Sequence, residues 1–259
     1  MRLLVDAGNS RLKWRLVENG RVVSQAACDH RGRRADEVLA QAWAVLPEAR
    51  EIFVANVAGD GVRRAIEDHA AHRWPGARLV MLSGRTGAPD VRVAYTDPTR
   101  FGIDRLAALV AARALRPGCP VLVVDAGTAV TIDALDARGR HLGGLIMPGR
   151  RLLSEALGGG TSALGAALDS RVECADEELQ VSTAAGIEAG IRRMLCSGVW
   201  GAIAAIQARG EAPFEVILTG GDAAEVDACG EGAREIRADL VLDGVARMAE
   251  RFAETPGIA

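Results

Sequence analysis

The sequence predicts an α/β protein built from two copies of one unit, and three observations support this prediction. The tetrapeptide Val-Asp-Ala-Gly occurs at residues 5–8 and again at 124–127 of the 259-residue chain. Each copy ends an apolar run and is followed by two further runs typical of a β-hairpin sheet. Helical and strand-like segments then alternate after each copy. We therefore expect two mixed sheets flanked by helices, facing each other across a central cleft.

The first copy begins three predicted strands. Residues 3–5 are apolar, a turn follows at 6–9, and apolar and charged side chains alternate over 12–16. Asn19-Gly20 is a dipeptide that favours a tight hairpin turn, so a third strand is expected from residue 21. The second copy repeats this plan, with predicted strands in 119–128, 129–135 and 141–149.

Apolar spacing predicts the remaining elements of both halves. The predicted helices cover residues 34–46, 60–74, 182–210 and 239–254, and the strands between the first helices cover 51–57 and 77–83. Residues 214–222 are predicted to be a strand that runs into a glycine turn. The longest of these helices begins with a side-chain cap at Ser182. Proline and glycine around residue 117 mark a boundary, so we predict an N-terminal domain over 1–117 and a C-terminal domain over 118–259.

Composition excludes several classes of protein. The formal net charge is −3 and 49% of the residues are hydrophobic, which indicates neither disorder nor binding to nucleic acid or a membrane surface. No apolar run approaches the roughly 20 residues that span a bilayer, and the start of the chain does not resemble a signal peptide. We expect a cytoplasmic protein. The five cysteines are scattered without a C-x-x-C pair, so we expect free thiols rather than disulfides or a zinc site.

The repeated turn has the chemistry of a phosphate-binding site. Glycine lets backbone N–H groups approach phosphate oxygens closely, and hydroxyl or amide side chains add donors. Gly8, Asn9 and Ser10 meet this need in the first copy, as Gly127 and Thr128 do in the second. A strand-ending aspartate beside such a turn can hold a metal ion directly or through water. Two facing hairpins of this kind would bind a nucleoside triphosphate from both sides.

Other interpretations of this turn remain open. A strand ending in Asp-x-Gly is also a common turn signature without a ligand, and the spacing of the two copies is what favours function. The chain contains neither the P-loop motif nor the G-x-G-x-x-G motif. Lys13 is the only lysine among 31 basic residues, which either reflects a coding bias toward arginine or a specific need for an ammonium group in the first turn.

Two further clusters are candidates for ligand binding. Gly220 and Gly221 follow the strand at 214–219 directly, and small residues there would let a nucleoside lie against the backbone. Asp104 and Arg105 fall in the first turn of a predicted helix after Gly102. The helix dipole alone would favour an aspartate at that position. The adjacent arginine suggests instead a carboxylate base beside a cation that binds an anionic acceptor.

These motifs together resemble the type III pantothenate kinases, including the branch called Bvg accessory factors. The resemblance covers almost the whole chain, and the motifs occur in the order that the family has. The matching segments are DAGNSRLKW at 6–14, FGIDRLAAL at 101–109, VVDAGTAVTID at 123–133, GGLIMPG at 143–149, STAAGIEAGI at 182–191 and LTGGDA at 218–223. The resemblance implies the duplicated ribonuclease-H-like fold of the acetate and sugar kinase, Hsp70 and actin superfamily.

The resemblance implies ATP-dependent phosphorylation of pantothenate, the first step toward coenzyme A. It also implies a magnesium ion near Asp6, directly or through water, and a monovalent cation, potassium or ammonium, at Asp125. The residues that it implies for ATP binding are Asp6, Ala7, Gly8, Asn9, Ser10, Arg11, Leu12, Lys13, Thr128, Gly220 and Gly221.

For the acceptor, the resemblance implies Asp104 as the general base and a homodimer in which Thr183 reaches the substrate across the subunit interface. The residues that it implies for pantothenate binding are Tyr95, Gly102, Ile103, Asp104, Arg105 and Thr183. A carboxylate near the acceptor hydroxyl suits phosphoryl transfer, because the hydroxyl must lose its proton.

Small departures from the family pattern leave every implied catalytic group in place. Ser10 stands where many members have threonine, Lys13 is closer to the accessory-factor branch, and Phe101 replaces a more common aliphatic residue. Two alternatives stay open: an ATP-binding regulatory protein of the same fold, and a kinase for another small hydroxylated acid or sugar.

Overall fold

A computed structural model of the chain describes residues 1–86, 88, 90–160, 179–209, 213–232 and 234–254. These residues form two five-stranded sheets. The first contains β1 (Arg2–Ala7), β2 (Arg11–Glu18), β3 (Arg21–Asp29), β4 (Glu51–Asn56) and β5 (Arg78–Met81), in the order β3-β2-β1-β4-β5. The second contains β6 (Val121–Ala126), β7 (Ala129–Leu135), β8 (His141–Pro148), β9 (Glu215–Thr219) and β10 (Arg234–Ile236), in the order β10-β9-β6-β7-β8. Both sheets place their strands in the same spatial order, which confirms the predicted duplication.

The first strand of each unit lies at the centre of its sheet. β1 pairs antiparallel with β2 and parallel with β4, and β6 pairs parallel with β9. Leu3 and Val5 on one face of β1 have no exposed surface, and Leu4 on the other face is 1% exposed, as expected for a strand covered on both faces. Asn19 and Gly20 adopt φ values of 49° and 77°, the left-handed pair that a two-residue hairpin turn requires, so the predicted turn is confirmed.

The helices agree with the predicted spacing over most of their length. They are α1 (Ala35–Trp43), α2 (Asp60–Arg73), α3 (Ile103–Leu115), α4 (Arg150–Gly160), α5 (Thr183–Gln207), α6 (Ala223–Ala228) and α7 (Leu240–Glu254), with a 3₁₀ turn at Pro98–Arg100. The Ser182 side chain accepts a hydrogen bond from the Ala185 N–H, which confirms the predicted cap. The elements that were not predicted from the sequence are α4, α6 and β10. α6 and β10 have only six and three residues, and the three glycines at 158–160 make the end of α4 resemble a loop.

The first compact unit contains Met1–Gly118, Leu135–Leu142 and α7. Its apolar core includes the side chains of Leu3, Val5 and Trp14 from the sheet, and Trp43 and Ile66 from α1 and α2. α3 and α7 pack against each other, and α7 also contacts β1. α7 therefore packs with the first unit although it follows the predicted boundary. The domains 1–117 and 118–259 remain a proposal about where the duplicated sequence divides.

The second compact unit contains the described parts of Cys119–Ala134 and Gly143–Ala238. Its core joins one face of the sheet to the long helix α5. Leu122, Val124 and Ile132 contribute from the strands, and Leu195 and Val199 contribute from α5. The alternation along β6 places Asp125 on the sheet face opposite to Val124 and Ala126.

A disulfide joins Cys196 in α5 to Cys229 at the end of α6. The expectation of free thiols is therefore wrong for these two residues. They lie 33 positions apart in sequence, and only the packing of α5 against α6 brings them together. Cys28 is a free thiol whose pKa is raised by burial. Cys174 lies outside the described residues.

None of the described helices is both long enough and apolar enough to cross a membrane.

A close contact between α3 and α7 predicts that adding one methyl group would destabilise the protein. A Cβ atom added to Gly244 in α7 would lie 1.8 Å from the Ala107 carbonyl oxygen of α3. Because backbone must move to accommodate it, we expect Gly244→Ala to lower the free energy of unfolding by about 2 kcal/mol. Guanidinium unfolding followed by circular dichroism measures this change.

Gly201→Ala in α5 is the matched control, since nothing lies within 4 Å of the added Cβ atom. Helix propensity alone should make that variant more stable by up to about 1 kcal/mol. A Gly244→Ala protein as stable as the wild type would show that the two helices are not in close contact.

Candidate active site

The first repeated turn lies between β1 and β2 in the first unit. The Gly8 N–H donates to the Arg11 carbonyl oxygen at 3.0 Å, which closes the turn. Asp6 and Lys13 are directly opposite each other in the antiparallel pairing, so their side chains lie on the same face of the sheet. Asp6 is buried, with 8% of its surface exposed. A carboxylate and an ammonium group thus flank the turn that the sequence assigned to phosphate binding.

Two predicted contacts of this turn differ in character from the others. The side chains of Ala7 and Leu12 lie in the apolar core under the sheet, so only their backbone groups can face a ligand. Asn9 and Arg11 are exposed, while Gly8 and Ser10 are partly buried. The structure therefore brings Asp6, Gly8, Asn9, Ser10 and Lys13 together, with Asn9 and Ser10 at the tip.

The second repeated turn lies between β6 and β7 in the second unit and is enclosed by two glycine segments. The Gly149 N–H donates to the Thr128 carbonyl oxygen at 3.2 Å, and a Cβ atom at Gly149 would lie 2.1 Å from the Gly127 carbonyl oxygen. Gly220 has a φ of +95°, and a Cβ atom there would lie 2.5 Å from a carboxylate oxygen of Asp125. Only glycine fits at either position, so three chain segments form one close-packed backbone cradle.

The glycine turn after β9 also carries a carboxyl group with an altered proton affinity. The Asp222 N–H donates to the Ala126 carbonyl oxygen at 2.9 Å, which anchors Gly220 and Gly221 beside Asp125. Burial raises the pKa of the Asp222 carboxyl, the Glu225 carboxylate raises it further, and the Arg150 guanidinium opposes both. Arg150 forms an ion pair with Glu225 at 2.9 Å. The Arg150 guanidinium therefore lies near both carboxyl groups beside the glycine turn.

The acceptor cluster predicted around Asp104 is aromatic and buried in the first unit. The Arg105 guanidinium lies 4.5 Å from the centre of the Phe101 ring, and one of its nitrogens lies 3.4 Å from the Tyr95 hydroxyl. Arg105 is 8% exposed, Phe101 is 2% exposed and Tyr95 is 37% exposed. The guanidinium therefore packs on the face of the Phe101 ring, while the tyrosine side chain reaches the surface.

Asp104 lies in the first turn of α3, and one of its carboxylate oxygens accepts from the Arg105 N–H at 2.8 Å. A Cβ atom at Gly102 would lie 2.6 Å from the same oxygen, so glycine leaves room for the carboxylate. Ile103 is buried with 6% exposure. Its side chain packs inward, and its backbone is what can line a site.

Thr183 is exposed at the start of α5 and belongs to the second unit.

Sequence reasoning missed His141, which is 2% exposed. Its ring lies 4.9 Å from that of Phe101 and 6.3 Å from that of Tyr95. A single histidine at the start of a strand carries no periodic signal, so no sequence pattern points to it. Sequence reasoning also missed the packing of Gly149 against the second turn, although Gly149 ends the GGLIMPG segment.

Comparison with known proteins identifies the family of the chain. The family model for type III pantothenate kinase matches residues 2–205. A type III pantothenate kinase from Nitrosococcus oceani is 34% identical over 264 residues, which covers 96% of this chain and 94% of the relative. Another from Thiobacillus denitrificans is 37% identical over 254 residues, which covers 96% of both chains.

The fold also occurs in a sugar kinase. The structure of a ROK family glucokinase from Streptomyces griseus, in complex with glucose and AMPPNP, has a TM-score of 0.53. It is 12% identical and covers 96% of this chain and 99% of that chain, so this likeness concerns the fold alone. The family match and the two relatives decide the assignment: the chain belongs to the type III pantothenate kinase family, enzymes that use ATP to phosphorylate pantothenate in coenzyme A biosynthesis.

Proposed function

We propose that this kinase binds pantothenate at Asp104 and Arg105 and binds ATP at the turns that follow β1 and β6. The observation that carries the acceptor site is the buried Arg105 guanidinium, held over Phe101 and beside the Tyr95 hydroxyl. Its position next to Asp104 gives an anionic substrate a fixed point of attachment, and pantothenate is a carboxylate.

Asp104 is the general base of the proposed mechanism. Its carboxylate accepts the proton of the primary hydroxyl as that oxygen attacks the γ-phosphorus, and ADP leaves with the bridging oxygen. Adjacent residues of a helix project about 100° apart, so Asp104 and Arg105 can contact different parts of an extended acceptor. Tyr95, Gly102 and Ile103 line the same site.

The backbone of the two turns receives the triphosphate in this proposal. Gly8, Asn9, Ser10 and Arg11 supply donors in the first turn, and Thr128 does so in the second. The nucleoside lies against Gly220 and Gly221, where the cradle has no room for a Cβ atom. Lys13 adds a positive charge on the face that carries Asp6.

The residues present also suit the cations of the reaction. No group of three or more His, Cys, Asp or Glu side chains that could hold a metal occurs among the described residues. This fits magnesium, which commonly uses one or two carboxylates together with substrate phosphates and water. Magnesium near Asp6 would neutralise phosphate charge. Asp125, beside the Gly220 backbone, is the proposed ligand of a potassium or ammonium ion.

The proposed assembly is a cytoplasmic homodimer. A mainly apolar groove between α4 and α5 is lined by Leu153, Leu157, Ile187, Gly190 and Met194, and Met194 is 62% exposed. An exposed apolar face of this kind suits burial against another subunit. In this arrangement Thr183, at the start of α5, completes the pantothenate site of the partner subunit.

Replacing Asp104 by asparagine tests the base directly. We expect Asp104→Asn to lower kcat by about 10²–10⁴-fold, the usual contribution of a general base, with ATP-analogue affinity unchanged. A coupled ADP-release assay with magnesium-ATP and pantothenate measures kcat. Asp68→Asn, an exposed change in α2, is the control and should retain wild-type turnover. Full turnover by Asp104→Asn would remove Asp104 as the base.

The cation site predicts a requirement for potassium or ammonium. In the same assay, we expect pantothenate-dependent ADP release with potassium and little with sodium alone. Asp125→Asn should abolish the difference between the two salts, because it removes the anionic ligand. Equal wild-type rates in potassium and in sodium would contradict a monovalent cation at Asp125.

The proposed contact of the nucleoside with Gly220 predicts that a side chain at this position weakens ATP binding. In Gly220→Ala the Cβ atom would lie 2.3 Å from the Ala126 carbonyl oxygen, so the cradle must open. We expect affinity for a non-hydrolysable ATP analogue to fall by at least about tenfold, equivalent to about 1.4 kcal/mol. Isothermal titration calorimetry measures the affinity.

Gly20→Ala separates the clash from backbone strain. Gly20 also has a positive φ, of +77°, but nothing lies within 4 Å of its added Cβ atom. This control should lose some stability and keep its affinity for the analogue. Unaltered affinity for the analogue in Gly220→Ala would contradict a nucleoside against Gly220.

A further inference from the structure

One histidine makes hydrogen bonds to the proposed phosphate-binding turn of the first unit. His30 directly follows β3 and is 9% exposed. Its Nε2 atom lies 2.7 Å from the Gly8 carbonyl oxygen, and its backbone N–H donates to the Ser10 carbonyl oxygen at 3.1 Å. One residue thus fixes the carbonyl groups on both sides of Asn9.

The hydrogen bond to Gly8 defines the state of the imidazole ring. A carbonyl oxygen can only accept, so Nε2 carries the hydrogen and donates it. The neutral tautomer with hydrogen on Nε2 and the imidazolium form both satisfy this bond. The ring also borders a small cavity lined by Leu12, Ala35, Val38, Leu39 and Val62, so apolar side chains from β2, α1 and α2 confine it.

The orientation of one peptide group follows from this contact. In a planar trans peptide the C=O and N–H bonds point in opposite directions. Because the Gly8 carbonyl points to the His30 ring, the Asn9 N–H of the same peptide points away from the ring. The Asn9 donor is therefore fixed on the opposite side of the turn from His30.

Glycine makes this orientation easy to lose. The peptide between Gly8 and Asn9 begins at a residue without a Cβ atom, which populates many backbone conformations. If that peptide rotated by half a turn, a carbonyl oxygen would replace the Asn9 N–H, and an acceptor would then face the negatively charged triphosphate. The bond from His30 opposes that rotation.

The geometry points to His30 as a positioning residue that orients the Asn9 N–H for binding of the ATP phosphates. This role depends on the proposed binding of ATP at the turn after β1. His30 acts through the Gly8 and Ser10 carbonyl groups and does not contact the substrate.

Three substitutions at His30 separate positioning from simple packing. Glutamine can donate through an amide nitrogen placed at nearly the same distance from the backbone as Nε2 of histidine, whereas asparagine is too short and leucine cannot donate. We expect His30→Leu and His30→Asn to weaken binding of a non-hydrolysable ATP analogue by about tenfold, the value of one lost hydrogen bond. His30→Gln should remain within about threefold of the wild type.

The steady-state constants provide a second readout. KM for ATP should rise in His30→Leu and His30→Asn, whereas KM for pantothenate should stay at the wild-type value. His72→Leu is the matched control, because His72 is exposed on α2, and it should change neither constant. Equal loss of analogue affinity in His30→Gln and His30→Leu would show that His30 only fills space and would overturn the inference. Analogue affinity in His30→Leu within twofold of the wild type would overturn it as well.

A measurement on the wild-type protein tests the inference even if the variants do not fold. A long-range ¹⁵N–¹H spectrum of the wild-type histidines should show hydrogen on Nε2 of His30, and hydrogen only on Nδ1 would overturn the inference. Failure of the proposed function gives a different result. Wild-type protein would then bind the analogue more tightly than His30→Leu does, yet release no ADP with pantothenate. That result would contradict the assignment of the acceptor site and support the role of His30.

Discussion

Full pairing of the central strands is the constraint on which the rest of the molecule depends. β1 has hydrogen-bonded neighbours along both edges, and β6 holds the same position in its own sheet. A strand in that position can leave the sheet only at its end, so the polar residues there project at the carboxyl edge, where α/β proteins commonly bind ligands. Asp6 and Asp125 each precede the last residue of such a strand. The two aspartates are thus carried by the central strand of each sheet.

The acceptor cluster shows why arginine and lysine are not interchangeable here. A guanidinium is planar and weakly hydrated, so it can lie flat on an aromatic ring while its edge donates hydrogen bonds. Arg105 does both, with Phe101 beneath it and Tyr95 at its edge. His141 also packs against both of these rings. The phenylalanine that departs from the family pattern therefore has a physical role as the surface on which Arg105 rests.

Much of the fold could be predicted because its signals are local. The repeated Val-Asp-Ala-Gly, the Asn19-Gly20 turn and the Ser182 cap each depend on a few adjacent residues, and all three lie where the sequence placed them. The position of α7 in the first unit depends instead on packing between distant segments.

The candidate site shows the same difference between local sequence signals and contacts of distant segments. Glycines beside the strand-ending aspartates are readable from the sequence, whereas the contacts of His30, His141 and Gly149 arise from chain segments far apart in sequence. The link between Cys196 and Cys229 was missed for that reason too. Ala7 and Leu12 show a further limit, since a motif names positions and does not say which of them face the core.

The membership of α7 in the first unit has a consequence during protein synthesis. α3 is buried along most of its length, and α7 covers one of its faces at a contact where only glycine fits. The ribosome makes α3 early but makes α7 only after the whole of the second unit. The nascent chain therefore carries an uncovered apolar helix face for more than a hundred residues of elongation, the kind of surface that chaperones bind. Correct folding of α3 thus depends on late completion of the polypeptide.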